Sequence, residues 1–238
     1  MAAPATRSSK TAVIVGVGSG ISASLARALH ARGWQLALVS RKPASSADLA
    51  ASTGALAIAA DGADPGDVDR AFGEIDRAFG RIDLAVYNAS FRTRGPLVDL
   101  VPADVEKALL TGAYGGFLMA RAAAQRMLPR SEGAIFFTGA SASVKGYAQS
   151  APFAMAKFAL RGLSQSLARE LQPKGIHVAH FIIDGGVRNA ARGRVEDASS
   201  AASLLDPDAI AQSYLHVLDQ PRSAWTSEVE LRPWVERF

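Results

Sequence analysis

Three glycines lie at alternate positions near the start of the chain, Gly16, Gly18 and Gly20. They stand between an apolar run at 11–15 and a helical pattern. A strand, a glycine turn and a helix in this order offer free backbone N–H groups and a helix dipole to an anion, so we predict a site for a dinucleotide diphosphate. The spacing departs from Gly-x-Gly-x-x-Gly, because Ile21 occupies the place of the third glycine. A plain strand–helix turn without a ligand is therefore the alternative interpretation.

The residues that end the second predicted strand indicate which dinucleotide would bind. An NAD site places an acid about 20 residues past the glycines, on the ribose 2′-hydroxyl. Here the strand ends at Ser40, and Arg41 and Lys42 follow it. A guanidinium can bond a 2′-phosphate through two N–H groups. The pattern favours NADP(H) over NAD(H), and a solvated basic loop is the alternative.

Apolar runs alternate with helical patterns along the chain. Strands are predicted at 13–15, 35–40, 56–60, 82–87, 133–138, 177–183 and 228–231. Helices are predicted at 23–31, 44–52, 68–79, 105–127, 152–171 and 208–218. This alternation is typical of an α/β fold, a Rossmann-type, doubly wound parallel sheet flanked by helices in three layers. We expect a flexible tail over 1–10 and one domain over 11–238.

Composition narrows the class of protein. The 238 residues include no cysteine and carry a net charge of +4, with basic residues scattered rather than clustered. This distribution does not favour nucleic acid, and no apolar run approaches the roughly 20 residues of a membrane span. No secretory pattern opens the chain, so a cytoplasmic location is expected. No metal site is predicted, because His177 and His180, three residues apart on a strand, face opposite sides.

Several motifs together resemble those of the short-chain dehydrogenase/reductase family, from residue 11 to about 231. The segment 15–22, Val-Gly-Val-Gly-Ser-Gly-Ile-Ser, is similar to the family's Thr-Gly-x-x-x-Gly-Ile-Gly, with Ser22 in place of the last glycine. The segment 87–90, Tyr-Asn-Ala-Ser, resembles Asn-Asn-Ala-Gly, and 153–178 is similar to the catalytic helix and the next strand. The resemblance and the turn together imply a cofactor site built from Gly16, Gly18, Ser19, Gly20, Ile21, Ser40, Arg41, Asp61, Gly62, Asn88, Ala89 and Lys157.

The same resemblance implies an altered catalytic centre. Family members use an asparagine, a serine and a Tyr-x-x-x-Lys pair, in which the tyrosine exchanges a proton with the substrate. The lysine is present as Lys157, but the tyrosine position is Phe153, which has no proton to give. By spacing, the serine aligns with Ala140 and the asparagine with Gly112. The predicted Asn/Ser/Tyr/Lys site is thus degenerate.

Other hydroxyl groups could replace the missing ones. A shift in the alignment would match the family's serine to Ser141 or Thr138. Tyr147 lies in the loop that borders the substrate in family members, and Tyr114 lies in the long helix. For each tyrosine a surface or interface position is the alternative.

Two functions remain open at this point. The first is an NADP(H)-dependent oxidoreductase of short-chain dehydrogenase type acting on a small molecule: an imine, an activated alkene or a carbonyl. An iminium arrives already charged and needs no acid, and Asp184 could favour such a cation. The second is a non-catalytic NADP(H)-binding protein that acts as a sensor or partner subunit. The family resemblance also implies a homodimer or homotetramer, and Arg188, Arg192 and Arg194 could meet a cofactor phosphate or an anionic substrate.

Overall fold

The computed structural model describes residues 9–195 and 203–235, so residues 1–8 of the predicted tail lie outside the described part. The strands are β1 (Thr11–Val15), β2 (Gln35–Ser40), β3 (Leu56–Ala59), β4 (Leu84–Tyr87), β5 (Gly133–Thr138), β6 (Ile176–Ile183), β7 (Gly186–Val187), β8 (Leu204–Leu205) and β9 (Glu228–Leu231). The α-helices are α1 (Ile21–Ala31), α2 (Ala47–Thr53), α3 (Pro65–Phe79), α4 (Pro102–Leu109), α5 (Gly115–Met127), α6 (Ala151–Leu171) and α7 (Pro207–Leu218). Helix α2 begins later than predicted, after the 3-10 turn Pro43–Ser46.

Within the described residues, seven parallel strands form one sheet in the order β3-β2-β1-β4-β5-β6-β9. The central strand β1 pairs with β2 and β4, and Val15 lies opposite Val39 on one side and Tyr87 on the other. This is the predicted doubly wound α/β fold. The strand order reverses between β1 and β4, and ligands of such sheets bind in the crevice at the carboxyl ends of the strands there.

Both faces of the sheet are buried, as expected for parallel strands covered by helices. In β1 the side chains of Val13 and Val15 pack into one core, with α3, α5 and α6. Ala12 and Ile14 point the other way, into a second core with α1 and α7. The sequence of β1 is therefore a continuous apolar run and does not alternate between apolar and polar residues. None of the described helices is long and apolar enough to cross a lipid bilayer.

Local signals set the ends of the helices. Asp64 caps α3 by accepting a hydrogen bond from the Asp67 N–H at 2.8 Å, and Pro65 occupies the first turn. Such caps are worth about 1 kcal/mol each. The helix ends at Gly80, whose φ of +70° is a left-handed conformation that suits glycine.

The predicted single helix over 105–127 is interrupted. A π-helical turn, Leu110–Tyr114, separates α4 from α5. The Thr111 carbonyl in this turn accepts a hydrogen bond of 2.6 Å from the buried Tyr87 hydroxyl of β4. Gly115 follows directly, and a Cβ atom there would collide with the Tyr87 hydroxyl. The interruption thus lets the helix approach the sheet closely beside the cleft.

Candidate active site

A cleft of about 1220 Å³ opens at the carboxyl ends of the central strands. Every residue predicted to hold the cofactor lines it: Gly16, Gly18, Ser19, Gly20, Ile21, Ser40, Arg41, Asp61, Gly62, Asn88, Ala89 and Lys157. The tertiary structure thus brings together side chains that are spread over most of the sequence. The cleft lies where the strand order reverses between β1 and β4, which is the usual place for a ligand in such sheets.

The glycine turn packs tightly against the loop that follows β4. Gly16 has φ +90°, and a Cβ atom at this position would collide with the backbone of Ala89. Ser22, which replaces a glycine of the family motif, donates a hydrogen bond of 2.9 Å to the Gly16 carbonyl. The Asn88 Nδ2 group donates to the Ser22 Oγ at 2.6 Å. Ser22 therefore fastens the turn to the Asn88 loop, a role that the family pattern did not indicate.

The segment after β7 covers the glycine turn. Asn189 Oδ1 accepts a hydrogen bond of 3.0 Å from the Ser19 hydroxyl. The Arg192 guanidinium lies 3.9 Å from where a Cβ of Gly18 would stand. Arg192 is thus close to the predicted diphosphate site. From the sequence, Arg192 was predicted to meet either a cofactor phosphate or an anionic substrate. Asn189 was not predicted, because no motif spacing points to it.

At the far end of the cleft, β2 presents the groups expected to contact the adenosine ribose. The Ser40 hydroxyl is buried and has no hydrogen-bond partner among the described residues. Arg41 lines the cleft. Burial and the charge of Asp61 raise the pKa of Tyr87, whereas the charge of Arg41 lowers it. Arg41 and Asp61 therefore flank the same part of the site.

Lys157 of α6 is buried at the other end of the cleft. Its Nζ donates a hydrogen bond of 2.8 Å to the Thr138 carbonyl, and burial lowers its pKa to about 8. The Phe153 ring centroid lies 5.8 Å from the same Nζ. A bare phenyl ring thus faces the ammonium group, and no carboxylate of the described residues forms an ion pair with it.

The alternatives for the family's serine separate in the structure. The Thr138 hydroxyl is buried and bonded to the Tyr214 hydroxyl at 2.8 Å, so it points away from the cleft. Ala140 and Ser141 both line the cleft. Gly112 is buried against α6, where a Cβ would lie 2.6 Å from the Ala156 Cβ. The geometry leaves Ser141 as the hydroxyl nearest the predicted serine position.

The two candidate tyrosines lie in different places. Tyr147 lines the cleft, with the Lys145 Nζ 5.9 Å from its ring centroid. A hydrogen bond to Tyr147 raises the pKa of Lys145, and the Asp184 carboxylate, 3.4 Å away, raises it further. Tyr114 stacks on Phe117 with ring centroids 6.0 Å apart, outside the described lining of the cleft. The negative charge of Asp184 is therefore balanced by Lys145, which weakens the case for a cationic substrate.

Two arginines that sequence reasoning passed over also line the cleft, Arg92 and Arg94. The Arg92 guanidinium carbon lies 4.7 Å from the Phe153 ring centroid, a cation–π arrangement. A sequence signal existed, because both residues follow the Asn88 motif on a loop that begins at the carboxyl end of β4. The contact between Arg92 and Phe153 could not be predicted, because the two residues are far apart in the sequence.

Comparison with known proteins agrees with this architecture. The family model described as short chain dehydrogenase matches residues 10–198. The chain therefore belongs to the short-chain dehydrogenase family, and its relatives are oxidoreductases.

Individual relatives cover most of the chain. A short-chain dehydrogenase from Rhodopseudomonas palustris is 32% identical, covers 94% of this chain and 99% of its own, and superposes with a TM-score of 0.82. A metagenomic short-chain oxidoreductase solved in complex with NADP is 25% identical over 95% of this chain and 98% of its own, with a TM-score of 0.83. D-threitol dehydrogenase of Mycolicibacterium smegmatis is 32% identical over 71% of this chain and 67% of its own.

Proposed function

We propose that the protein is an NADP(H)-dependent oxidoreductase with an altered proton-transfer site. The observation that carries this proposal is Lys157, a buried ammonium held only by a backbone carbonyl within the described structure. Burying an unpaired cation is unfavourable for folding. A ligand that bonds to this group would compensate that cost, and the lysine shares a cleft with the glycine turn.

The residues at both ends of the cleft fit a phosphorylated dinucleotide. The N-terminus of α1, which follows the glycine turn and has no side-chain cap, would hold a diphosphate, and Arg192 would add positive charge there. At the other end, the unpartnered Ser40 hydroxyl and the Arg41 guanidinium would hold a ribose 2′-phosphate. When bound, the cofactor supplies or accepts a hydride. The related metagenomic protein is solved with NADP, which supports the same choice here.

The proton would have to come from a group other than residue 153. Tyr147 is the preferred donor, because the residue lines the cleft and its hydroxyl is hydrogen-bonded to the Lys145 side chain. Ser141 is the second candidate. Carbonyls, imines and activated alkenes are the substrate classes that such a site would serve.

The missing tyrosine and serine favour one competing function, a non-catalytic NADP(H)-binding protein. A positioned general acid contributes roughly 10²–10⁴ in rate, and one donor to a developing oxyanion contributes about 10²–10³. The loss of both would leave binding intact and turnover slow. Turnover of a panel of ketones, imines and enones separates the two functions.

The first experiment is a fluorescence titration of the purified protein with NADPH and with NADH. We expect NADPH to bind at least about tenfold more tightly, from two charge-assisted hydrogen bonds to the 2′-phosphate. Arg41→Ala should remove most of this preference, whereas Arg77→Ala, an exposed arginine of α3, should leave it unchanged. Equal affinity of the wild-type protein for both cofactors would contradict the NADP(H) preference.

Turnover then tests the donor. With the best substrate of the panel, Tyr147→Phe should lower kcat by roughly 10²-fold or more while the NADPH affinity stays the same. A kcat unchanged by this substitution would eliminate Tyr147 and direct attention to Ser141.

A further inference from the structure

Three arginines gather at the substrate end of the cleft. Arg92 and Arg94 come from the loop after β4, and Arg194 comes from the segment that covers the glycine turn. The Arg92 guanidinium stacks on Phe153, the residue at the position of the family's proton donor. A positive group is thus fixed beside the reacting end of the cleft.

Ion pairs with the described residues do not balance the positive charge of this cluster. Within residues 9–195 and 203–235, no carboxylate forms an ion pair with any of the three arginines. Burial lowers the pKa of Arg92, and the charges of Arg94 and Arg194 lower it further. Three like charges that line one cleft attract an anion, and an anion bound among them would reduce their mutual repulsion.

Backbone hydrogen bonds hold the cluster in place. The Gly95 N–H donates to the Gln149 carbonyl at 3.1 Å, which ties the Arg94 loop to the loop before α6. Asn189 and Arg194 exchange two backbone hydrogen bonds, of 2.8 and 3.0 Å. The backbones that carry the arginines are therefore fixed before any ligand arrives, a condition for specific binding.

The cluster is distinct from the groups assigned to the cofactor phosphates. Arg41 and Lys42 stand at the end of β2, and Arg192 stands beside Gly18. Arg92 instead contacts Phe153, four residues before Lys157 on α6. The arrangement places a second anion site at the opposite end of the cleft from the predicted 2′-phosphate.

We propose that the substrate is a small carbonyl compound that bears a carboxylate, held by Arg92 and Arg94 with Arg194 completing the site. Guanidinium groups match a carboxylate through paired N–H···O bonds. This inference rests on the proposed function for its reaction. There the hydride of NADPH adds to the carbonyl carbon, one proton adds to its oxygen, and the products are a hydroxy acid and NADP⁺.

The test compares each acid with its neutral methyl ester. Benzoylformate and 4-oxopentanoate, each with its methyl ester, are titrated calorimetrically into the protein with and without saturating NADP⁺. The proteins are the wild type, the Arg92→Gln/Arg94→Gln double variant and Arg169→Gln, which removes an exposed charge elsewhere on α6. NADPH affinity and thermal stability are measured for all three.

We expect at least one acid to bind wild-type protein more tightly than its ester. The double variant should lose this preference by on the order of tenfold or more, while NADPH affinity stays within about twofold. Arg169→Gln should behave as the wild type.

Equal binding of acid and ester in both pairs, or no binding of either acid, would overturn the proposal. So would a parallel loss of NADPH affinity in the double variant, because the arginines would then serve the cofactor. The readout is binding, so a protein that binds the acids but transfers no hydride contradicts only the proposed function.

Discussion

The centre of the cleft joins a buried lysine to an aromatic ring where a hydroxyl would be expected. Lys157 remains in place although burial lowers its pKa to about 8. Phe153 receives the Arg92 guanidinium on its face, so the phenyl ring has a defined contact in this chain. At the scale of single residues, Phe153 and Arg92 form a cation–π contact at the position where the family resemblance predicts a proton donor.

Replacing Lys157 tests how much its burial destabilises the folded protein. Lys157→Met should raise the free energy of unfolding of the cofactor-free protein at pH 7 by about 1–3 kcal/mol and weaken NADPH binding. The folded pKa, about 8, lies below the ordinary value of 10.5. Between these pH values the unfolded chain binds more protons than the folded one, so the free energy of unfolding of the wild type rises with pH. The difference in free energy of unfolding between the wild type and Lys157→Met should therefore shrink. Chemical denaturation at pH 7 and pH 10 measures both; a difference that widens at pH 10 would contradict the burial argument.

Restoring the missing hydroxyls tests the altered site. The double variant Phe153→Tyr/Ala140→Ser should raise kcat/KM for a neutral aldehyde such as 4-nitrobenzaldehyde by roughly 10²-fold. For carboxylate-bearing substrates the same double variant should gain less in kcat/KM, because the hydroxyl group added at residue 153 disturbs the contact with Arg92. Phe153→Leu/Ala140→Ser is the matched control without a phenol, and steady-state NADPH oxidation is the measurement. A gain in this control would show that packing, not proton donation, limits the rate.

At the scale of elements, the π-helical turn between α4 and α5 shapes the back of the site. The turn brings Gly112 against Ala156 of α6 and lets Tyr87 bond to the Thr111 carbonyl. The glycine at the asparagine position is thus explained by close helix packing as well as by altered chemistry.

Adding a side chain at the turn should therefore be costly. Gly112→Asn should lower the free energy of unfolding by about 1–3 kcal/mol, because its Cβ would lie 2.6 Å from the Ala156 Cβ. Ala156→Gly alone should cost about 1 kcal/mol as a helix-interior glycine, and the double variant should recover part of the loss from Gly112→Asn. Denaturation of the four proteins in this cycle gives the coupling energy. Strictly additive effects would mean that the two positions do not meet.

At the scale of the whole molecule, two surface features differ in character, the basic cleft and the exposed apolar side chains of two helices. The cleft collects Arg41, Arg92 and Arg94. Large apolar side chains of the π-helical turn, α5 and α6 are partly exposed: Leu110 40%, Tyr114 40%, Phe117 43%, Met155 48% and Phe158 44%. Exposed apolar patches of this kind are typical of subunit contacts.

We expect this patch to join two copies of the chain. Light scattering should give the mass of a homodimer or homotetramer, and Phe117→Glu/Phe158→Glu should reduce it to that of the monomer or dimer, because buried carboxylates are unfavourable. Val98→Glu, at an apolar residue 90% exposed and outside the patch, is the control. A mass unchanged by the patch substitutions would place the contact elsewhere.

The sequence by itself determined the fold class, and it predicted residues for a cofactor site that the structure brings together along one cleft. Buried parallel strands need apolar runs, and caps such as Asp64 and Gly80 act locally, so both leave a pattern in the chain. The glycine turn and Arg41 could be assigned because their positions follow directly from β1 and β2.

Tertiary structure decided what depends on distant contacts. One such contact is the hydrogen bond from Tyr87 to Thr111 at the π-helical turn. Others are the ion pair of Asp184 with Lys145 and the hydrogen bond between Thr138 and Tyr214. The contact between Arg92 and Phe153 joins a loop to helix α6, about 60 residues apart in sequence. Local patterns do not encode such a pairing, because it arises only when the sheet closes.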